Sequence, residues 1–462
     1  MLKIYNSLTR TKQEFIPLES GHVKMYACGI TVSGPAHIGH GVQAMIFDII
    51  RKYLEKKGYV VKYCRNYTDV DDKIIANAQK QNINPMTLAR KNIEETDYNM
   101  HRLNVRDATK TLKATEHINE IIEFVQKLID KGYAYVTDRG DVYYSVEKFK
   151  GYGKLSNRNL EDAYSGVRID TEDNKKNPLD FALWKSAKEG EIFWNSPWGK
   201  GRPGWHIECS CMNYYNLGEQ IDIHGGGRDL IFPHHENEIA QTEAVTGTQF
   251  AKYWIHNGLI KVNGQKMSKS LNNSIYLDDI LNKYDNEVIR FALLQTNYRN
   301  DINITDDFFT ESKRHLINFY KVLRDVENMH IASDKKNKSI DDDFNEAMDD
   351  DFNTAKTLAN LFNYFKQMKV KINNNDLSVI EDYNQIKETY SLLGLFLKDS
   401  NEFLSKQEDQ IIDENIQMLA QKRWEAKKNK NYKEADEIRK QLNDLGYDIL
   451  DSKDDYKIVI KK

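Results

Sequence analysis

The stretch that decides the fold is His22-Val-Lys-Met-Tyr-Ala-Cys-Gly29, followed by the turn His37-Ile-Gly-His40. Apolar and polar residues alternate over the first segment, which is typical of a β-strand. From residue 42 to Leu54 apolar residues recur at steps of three and four, as on one face of a helix, and Gly58 stands where such a helix would end. Residues 59–63 then have the pattern of a second strand. Strand, crossover helix and strand together predict a parallel sheet covered by helices.

The carboxyl end of the first predicted strand is the expected place for a ligand, because ligands of such sheets bind beyond the carboxyl ends of the strands. Cys28 and the segment 31–40 lie at this end. Gly39 and Gly41 allow the backbone to come close to a ligand, and the free N–H groups of a helix N-terminus suit a phosphate. The two imidazoles of His37–His40 would donate to an oxyanion there.

The rest of the chain divides into three parts by pattern. Residues 76–200 mix helical stretches with short strands and loops marked by proline and glycine, which indicates an insertion or second subdomain. Residues 205–275 return to strands, glycine-rich turns and many histidines. From residue 276 onward the pattern is mostly helical.

The composition excludes several classes of protein. The 462 residues carry 66 basic and 70 acidic side chains, a net charge of −4, which argues against a small basic nucleic-acid-binding module but not against a large enzyme with a local basic surface. No stretch approaches the roughly 18 apolar residues of a membrane span, and residues 1–10 lack the apolar core of a secretory signal. Four cysteines do not make a disulfide scaffold. We therefore expect a cytoplasmic protein.

Histidine is concentrated in the sheet-forming segments, which hold seven of the twelve: His37, His40, His206, His224, His234, His235 and His256. A helix start is predicted near Pro233, and on that helix His234 and Glu238 share a face. An imidazole and a carboxylate on one face suit Zn²⁺. A plain surface pair of histidine and glutamate fits the same pattern.

Two cysteines would complete a zinc site of this type. Cys28 and Cys209 lie at predicted strand or loop ends, and Cys64 and Cys211 are the rival candidates, with a role as small core residues as their alternative. The spacing leaves this choice open, because the candidates are far apart along the chain.

Two loops have the composition of nucleotide-binding segments. His224-Gly-Gly-Gly-Arg-Asp229 follows an apolar run and would form either a flat floor for a base or ribose or a flexible loop. Lys266-Met-Ser-Lys-Ser270 follows a glycine-containing turn, and its lysines and serines would clamp a polyphosphate. A solvated loop is the alternative for the second segment.

Two charged runs lie in the helical part. Residues 341–351 carry seven acidic side chains and no basic one, which favours a solvated helix start or linker. Residues 422–440 carry eight basic and four acidic side chains. The second run is interpreted either as an ordinary exposed helix or as a contact with an RNA backbone.

Taken in order, these segments resemble class I aminoacyl-tRNA synthetases, and within that class the cysteine-specific members. The segments that carry the resemblance are Tyr26–Val32, His37–His40, Asn66–Lys73, Gly204–Ser210, Asp222–Gly227, Phe232–Glu238, Lys266–Ser270 and Asp349–Thr354. The resemblance covers nearly the whole chain and is weakest over the last 60 residues. Ser33, Val42 and Asn272 depart from the usual pattern, where an aromatic residue, arginine and glycine are common.

The resemblance implies an α/β fold: a Rossmann-like parallel-sheet catalytic domain with an inserted subdomain, followed by a helical bundle and a small C-terminal anticodon-binding domain. The implied divisions are 1–115 with 200–275 for the catalytic domain, 116–199 for the connective insertion, 276–315 for a stem-contact region with the mobile lysine-serine loop at its start, 316–400 for the helical bundle and 401–462 for the anticodon-binding region.

The resemblance also implies the reaction. ATP would activate L-cysteine to cysteinyl-adenylate, and the cysteinyl group would pass to the 3′-terminal ribose of tRNA(Cys), with AMP and pyrophosphate as products. One Zn²⁺ per chain, held by Cys28, Cys209, His234 and Glu238, would select the substrate thiolate, and Mg²⁺ would accompany ATP. No membrane and no obligatory protein partner are expected, and the chain would act as a monomer.

The remaining site residues take their roles from the same resemblance. His37 and His40 would stabilise charge on the α-phosphate, and Lys266 and Lys269 would hold the departing pyrophosphate. The residues expected to bind cysteine, the adenylate or ATP, or to form the polar floor beneath the zinc, are Gly29, Thr68, Trp205, His206, His224, Gly225, Gly226, Gly227, Asp229, His256, Ser268 and Ser270.

Overall fold

A computed structural model describes residues 1–159, 175–268, 271–408, 414–429, 431–452 and 456–460. Its strands are β1 (Lys3–Asn6), β2 (Thr11–Glu14), β3 (His22–Thr31), β4 (Val60–Thr68), β5 (Lys110–Lys113), β6 (Ala134–Val136), β7 (Val142–Tyr144), β8 (Phe181–Ser186), β9 (Trp194–Ser196), β10 (Gly199–Pro203), β11 (Ile221–Gly227), β12 (Ala251–Asn257), β13 (Ile260–Val262), β14 (Gln265–Lys266), β15 (Ile302–Ile304), β16 (Tyr447–Asp451) and β17 (Tyr456–Ile460).

The α-helices surround and follow these strands. They are α1 (Ile38–Lys56), α2 (Asp72–Lys80), α3 (Pro85–Arg102), α4 (Ile118–Asp130), α5 (Trp205–Leu217), α6 (Glu236–Thr246), α7 (Leu277–Lys283), α8 (Asn286–Leu294), α9 (Phe308–Glu327), α10 (Lys338–Asp349), α11 (Thr354–Asn373), α12 (Val379–Ser391), α13 (Ser400–Glu408), α14 (Glu414–Lys428) and α15 (Tyr432–Asp444). None of the described helices is long and apolar enough to cross a membrane.

The central sheet has five parallel strands in the order β12-β11-β3-β4-β5. From β3 the chain moves outward through β4 to β5, and it later returns to the other side of β3 with β11 and β12. The direction of winding therefore reverses between β3 and β11, which is the place where open α/β sheets bind their ligands. The α/β fold class and the first strand–helix–strand unit are confirmed.

A second sheet with the order β6-β7-β8-β10-β9 is antiparallel in each of its pairs. It packs with α4, α5 and α6 through one cluster of buried apolar side chains that includes Phe124, Tyr144, Leu183 and Trp184. Its last strand in the chain, β10, ends at Pro203, directly before α5 begins. The helix that carries Cys209 therefore follows the second sheet almost directly in the chain.

Two units are distinguished by their internal contacts. Residues 1–316 with 332–396 form the first unit, and residues 317–331 with 397–462 form the second. The first unit also contains a short sheet in which β13 pairs in parallel with β15. The described part of the chain from residue 276 onward is mostly helical, as predicted, and β15 is one of its short exceptions.

The acidic run 341–351 is not simply a solvated segment. Most of it lies in α10, but Asp351 is fully buried. Its carboxylate accepts hydrogen bonds from the backbone N–H of Tyr5 and the hydroxyl of Tyr298, both at 2.8 Å, and an ion pair from Arg299 at 2.7 Å. The interpretation as a solvated helix start or linker is therefore wrong for Asp351.

The second unit holds the basic run. Residues 422–428 of this run lie in α14 and residues 432–440 in α15, and the hairpin β16–β17 follows them. Arg423 is buried and pairs with Asp451, and Lys427 Nζ lies 2.6 Å from the same carboxylate. Part of the positive charge of this run is therefore neutralised within the unit.

Candidate active site

The turn His37–His40 begins α1 at the carboxyl end of β3. The two imidazole rings are stacked, with centroids 3.6 Å apart, and His40 Nδ1 accepts a hydrogen bond of 3.3 Å from the backbone N–H of His37. A Cβ on Gly39 would lie 3.1 Å from the His37 ring. The absence of a side chain at residue 39 thus leaves room for this pair of rings.

The chain segment after the lysine-serine loop lies beside this turn. Ile38 donates its backbone N–H to the carbonyl of Ile275 at 2.9 Å, and His37 forms a β-bridge with Tyr276. The structure thus brings the segment that follows the lysine-serine loop to the His37–His40 turn at the carboxyl end of the sheet.

Within the loop itself, Lys266 lies exposed in β14, and the backbone N–H of Ser268 donates to Asn273 Oδ1 at 2.8 Å. Lys269 and Ser270 lie outside the described residues. Asn272 has φ +50°, in the left-handed region that asparagine tolerates better than most residues. This backbone conformation accounts for the departure from the usual glycine at that position.

Four candidate ligands from three elements meet at the β3–β11 boundary. Cys28 lies near the end of β3, Cys209 in α5, His234 just before α6 and Glu238 in its first turn. Their donor atoms all lie within 4.8 Å of one another, and all four residues are buried. Cys28 Sγ is 3.1 Å and His234 Nε2 is 3.0 Å from Glu238 Oε1.

The rival cysteines lie elsewhere. Cys64 in β4 and Cys211 in α5 are both buried, and in the part of the chain that the structure describes neither belongs to a group of metal-binding side chains. Cys211 packs among apolar side chains such as Phe124 and Ile207. Burial raises the pKa of both thiols. Both behave as small core residues.

The pKa values within the cluster depend on one another. Burial raises the pKa of Cys28, whereas a hydrogen bond from Cys28 lowers the pKa of Cys209 to about 6. Burial disfavours the charged imidazole of His234, but Glu238 and Cys209 outweigh that effect and raise its pKa to about 10. Burial likewise opposes ionisation of Glu238, but His224 and His234 keep its pKa well below the usual range. Cys209 and Glu238 are thus the members of the cluster that favour the negatively charged form, and they would attract a cation.

These residues fit a zinc ion. Two sulfurs, one imidazole and one carboxylate are the donor types that Zn²⁺ takes from proteins, commonly four at a time. The mutual distances allow all four donors to contact one ion. The helix start predicted near Pro233 is confirmed, since Phe232 has the non-helical angles φ −138° and ψ 131° and the π-helical turn that ends at His235 continues directly into α6.

Further histidines surround the cluster. His224 Nε2 lies 2.8 Å from Glu238 Oε2, and His206 Nδ1 lies 3.0 Å from His234 Nδ1. His235 Nδ1 lies 2.8 Å from His256 Nε2. His235 was counted among the histidines of the sheet-forming segments, but no site role was predicted for it. Its position directly after His234 was the only signal in the sequence.

At two of the glycines predicted to lie in the site, Gly29 and Gly225, a neighbouring strand leaves no room for a side chain. A Cβ on Gly29 would lie 1.5 Å from the carbonyl oxygen of Asn66, and one on Gly225 would lie 2.3 Å from that of Ile255. The side chain of Asn66 also accepts a hydrogen bond of 2.9 Å from the N–H of Gly29. Asn66 is thus a residue of the site that the sequence analysis did not single out. Gly226 and Gly227 continue the buried strand β11.

Thr68, at the end of β4, donates its hydroxyl to Glu208 Oε2 at 2.8 Å. Both side chains are buried, and burial raises the pKa of Glu208 well above its usual value. The ring of Trp205 lies 4.3 Å from that of His234, whereas Asp229 is exposed and bends back over Gly227. Glu208 is a second residue near the ligands that the sequence analysis missed.

A groove of about 1100 Å³ runs from this region along the second sheet. Trp205, His206 and Phe232 line the end beside the cluster. Basic side chains, among them Lys185 and Arg202, line the sheet side. The groove is long enough and polar enough for a substrate larger than an amino acid.

Comparison with known proteins identifies related families. Residues 14–314 match the family model described as the class I (C) tRNA synthetase catalytic domain, and residues 339–398 match the DALR domain. The cysteine–tRNA ligase of Caldicellulosiruptor saccharolyticus is 46% identical over 98% of both chains. That of Clostridioides difficile is 44% identical over 98% of both chains.

Solved structures show the same fold at low sequence identity. Mycobacterium tuberculosis methionyl-tRNA synthetase in complex with methionyl-adenylate matches with a TM-score of 0.62 and 12% identity, covering 83% of this chain and 93% of that one. Agrobacterium radiobacter leucyl-tRNA synthetase, solved with tRNA, matches with a TM-score of 0.58 and 10% identity, covering 84% and 87%. At this identity the likeness concerns the fold alone.

Proposed function

Because the chain belongs to the cysteine–tRNA ligase family of class I aminoacyl-tRNA synthetases, we propose that it activates L-cysteine with ATP and transfers the cysteinyl group to the 3′-terminal ribose of tRNA(Cys). The carboxylate of cysteine attacks the α-phosphorus of ATP, and pyrophosphate leaves. A terminal ribose hydroxyl of the tRNA then attacks the adenylate, and AMP leaves.

The observation that carries the proposal is the buried cluster of Cys28, Cys209, His234 and Glu238 at the carboxyl end of β3. A zinc ion bound there would supply a soft Lewis acid that prefers the sulfur of cysteine to the hydroxyl of serine. Shape alone separates such close analogues only about 10–200-fold. The four side chains would hold the metal, and the ion would supply the choice between thiolate and hydroxyl through coordination.

In the proposed adenylation step the His37–His40 turn and the lysine-serine loop act together. His37 and His40 donate to the α-phosphate oxygens as charge develops there, and Lys266 with Lys269 binds the departing pyrophosphate, with Mg²⁺ accompanying ATP. Little covalent work is left to the protein, so positioning and charge stabilisation account for the rate. The remaining members of the site, assigned here to substrate or ATP, are Gly29, Thr68, Trp205, His206, His224, Gly225, Gly226, Gly227, Asp229, His256, Ser268 and Ser270.

Thr68 has a defined part in holding the amino acid. Because its hydroxyl hydrogen points to Glu208, the lone pairs of Thr68 Oγ1 are directed elsewhere and accept a hydrogen bond from the ammonium group of cysteine. Glu208 thereby orients an acceptor without being a ligand of the metal.

The tRNA is bound by the rest of the chain. We assign residues 276–315 to the acceptor stem and residues 401–462 to the anticodon region, and the DALR match at 339–398 supports a tRNA-binding helical part. Lys428, which lies over the ring of Trp424 at 5.4 Å, is a better phosphate contact than Lys427, which pairs with Asp451. The enzyme works as a monomer in the cytoplasm, without an obligatory protein partner.

Exchange of labelled pyrophosphate into ATP, measured with the zinc-loaded protein in the absence of tRNA, tests the proposal. We expect exchange with cysteine and exchange near background with serine. Charging of a tRNA(Cys) transcript then tests the acceptor. Cysteine-dependent exchange without charging would point to transfer to another amine or hydroxyl, and no exchange with cysteine would overturn the proposal.

A further inference from the structure

Ser7 connects the N-terminal strand to the ligand cluster. It follows β1 directly, and its Oγ lies 2.8 Å from His256 Nδ1. His256 Nε2 lies 2.8 Å from His235 Nδ1. The other ring nitrogen of His235, Nε2, lies 3.9 Å from Glu238 Oε1. Three side chains in sequence thus connect a serine near the start of the chain to a proposed zinc ligand.

The position of Ser7 is fixed by its neighbours. Its backbone N–H donates to the carbonyl of Trp254 at 2.9 Å. The side chain of Asn6 donates to the carbonyl of Lys252 and accepts from the backbone N–H of Trp254 at 3.0 Å. The strand that ends before Ser7 is thus attached to β12, the strand that carries His256. Ser7 Oγ is therefore held in place and does not depend on the flexibility of a chain terminus.

His235 is the group on which this connection acts. It is fully buried, and among the described residues its Nε2 has no hydrogen-bond partner. Together with Cys28 and His224, it forms a second group whose metal-binding atoms lie within 4.8 Å of one another. This second group shares Cys28 with the four proposed ligands. The site therefore contains two overlapping sets of donors, one with two thiols and one with a single thiol.

The hydrogen positions decide between the two sets. If Ser7 donates to His256 Nδ1, then His256 Nε2 carries the hydrogen and donates to His235 Nδ1, so that His235 Nε2 also carries a hydrogen and cannot bind a metal. If Ser7 accepts instead, the order reverses and His235 Nε2 presents a lone pair. The first arrangement suits the surroundings, because an N–H at this place faces the carboxylate of Glu238.

We propose that Ser7 is a positioning residue which, through His256, holds His235 in the tautomer that donates toward the cluster, and so keeps the metal in the two-thiol set. The inference rests on the proposed function for the identity of that set. Partners one step beyond the ligands of a metal commonly set the orientation and tautomer of those ligands. Here the chain of partners extends one residue further and excludes a competing donor.

Replacement of zinc by Co²⁺ in the full-length protein gives a direct readout, because thiolate-to-cobalt charge-transfer absorption grows with the number of bound thiolates. We expect Ser7→Ala to lower this absorption per bound cobalt toward half of the wild-type value, as the metal moves partly into the one-thiol set. Zinc affinity, measured by competition with a chromophoric chelator, should fall at least about threefold, less than the roughly 10–100-fold typical of a direct outer partner, because Ser7 acts from one residue further out.

Two kinds of control separate the hydroxyl from the fold. Thr9→Ala removes an exposed hydroxyl two residues away, whose contacts are with Thr11 and Asn6, and should leave both readouts unchanged. Ser7→Thr retains a hydroxyl, and Ser7→Val has the shape of threonine without the hydroxyl. In cobalt absorption and zinc affinity, Ser7→Thr should match the wild type and Ser7→Val should match Ser7→Ala. This pair remains informative if Ser7→Ala does not fold.

The proposal is overturned if Ser7→Ala or Ser7→Val gives the spectrum and zinc affinity of Thr9→Ala. It is overturned equally if the wild-type protein already shows the absorption of a single thiolate. Both readouts are independent of catalysis. A wild-type protein with a two-thiol spectrum but no cysteine-dependent exchange would refute the proposed function and leave the role of Ser7 standing.

Discussion

In the proposed mechanism His40 uses one ring nitrogen for a contact within the protein and the other for the substrate. Its Nδ1 accepts from the backbone of His37, so the neutral ring carries its hydrogen on Nε2, which we assign to the α-phosphate. Removal of one such donor typically lowers a rate about 10²–10³-fold. We therefore expect His40→Ala to lower kcat of pyrophosphate exchange by about that factor, with KM values for ATP and cysteine changed only a few-fold.

The matched control for His40 is His101→Ala, which removes an exposed imidazole that pairs with Asp107. Exchange kinetics of that variant should equal those of the wild type. A change in KM alone in the His40 variant would contradict a role in stabilising the transition state.

The substitution Gly29→Ala tests whether the close approach of β3 to β4 matters for the site. Its Cβ would overlap with the carbonyl of Asn66, so Gly29→Ala must displace one of the two strands beside Cys28. We expect a loss of about 2–3 kcal/mol in the free energy of unfolding and a loss of cysteine-dependent exchange. Denaturant unfolding and the exchange assay measure the two effects.

Gly21→Ala is the comparison for that variant. Gly21 has φ +77° and open space around its Cβ position, so alanine there should cost about 1–2 kcal/mol for the left-handed backbone and leave exchange intact. Equal effects of the two substitutions on exchange would mean that the strand contact at Gly29 has no special importance for the site.

The residues of the site were predictable from the sequence only where a local pattern or a resemblance indicated them. The turn at His37–His40 follows from the change of period between a strand and a helix. The choice of Cys209 over Cys211 required the resemblance, because the ligands are separated by up to 210 positions. Ser7 and Glu208 gave no local signal, since their roles arise only when distant strands and helices pack together.

At the scale of elements, long periodic segments and the short strands within residues 76–200 were predictable, whereas the short strand β15 was not. The helix α1 was predicted because its apolar residues repeat over five turns. β15 has three residues and exists because it pairs with β13, which lies far earlier in the chain. The acidic run was misjudged at Asp351 because partners such as Tyr5 and Arg299 offset the cost of burying its charge.

A buried arginine of α14 forms an ion pair with the hairpin β16–β17. Arg423 is buried and donates from two nitrogens to Asp451, whose pKa falls to about 2, chiefly through this hydrogen bonding. The folded pKa is below the usual value near 3.9. The stabilisation is therefore complete above about pH 4 and is lost as the pH falls toward 2.

Asp451→Asn should reproduce the acid effect at neutral pH. Because the carboxylate is partly exposed and screened, we expect a loss of about 1–2 kcal/mol rather than the larger cost of breaking a fully buried pair. Hydrogen exchange of the hairpin amides, followed by mass spectrometry, measures this loss of stability. Asp448→Asn, which removes a more exposed partner of Arg439, should change the same amides by less than about 0.5 kcal/mol. Equal protection in the two variants would refute the role of Arg423.

The charge of the whole molecule gives no general attraction for tRNA. With a net charge of −4, binding of a polyanion must depend on local groups of basic side chains such as those near Lys428. Contacts of this kind release counterions from the RNA, so affinity falls steeply with salt. In the proposed function cysteine and ATP bind instead in the buried site at the carboxyl end of the sheet, where added salt screens interactions much less.

The two half-reactions should therefore respond differently to salt. Between about 50 and 200 mM KCl we expect the KM for tRNA(Cys) in charging to rise at least about tenfold. Six to ten phosphate contacts would lower the affinity by far more than tenfold over this range. Cysteine-dependent exchange without tRNA should change less than about twofold.

Lys428→Gln should make the salt slope of tRNA binding shallower by about 0.7–0.9. Lys427→Gln should change it less, because Asp451 already neutralises that lysine. A parallel loss of both half-reactions with salt would instead place the sensitivity in the catalytic site itself.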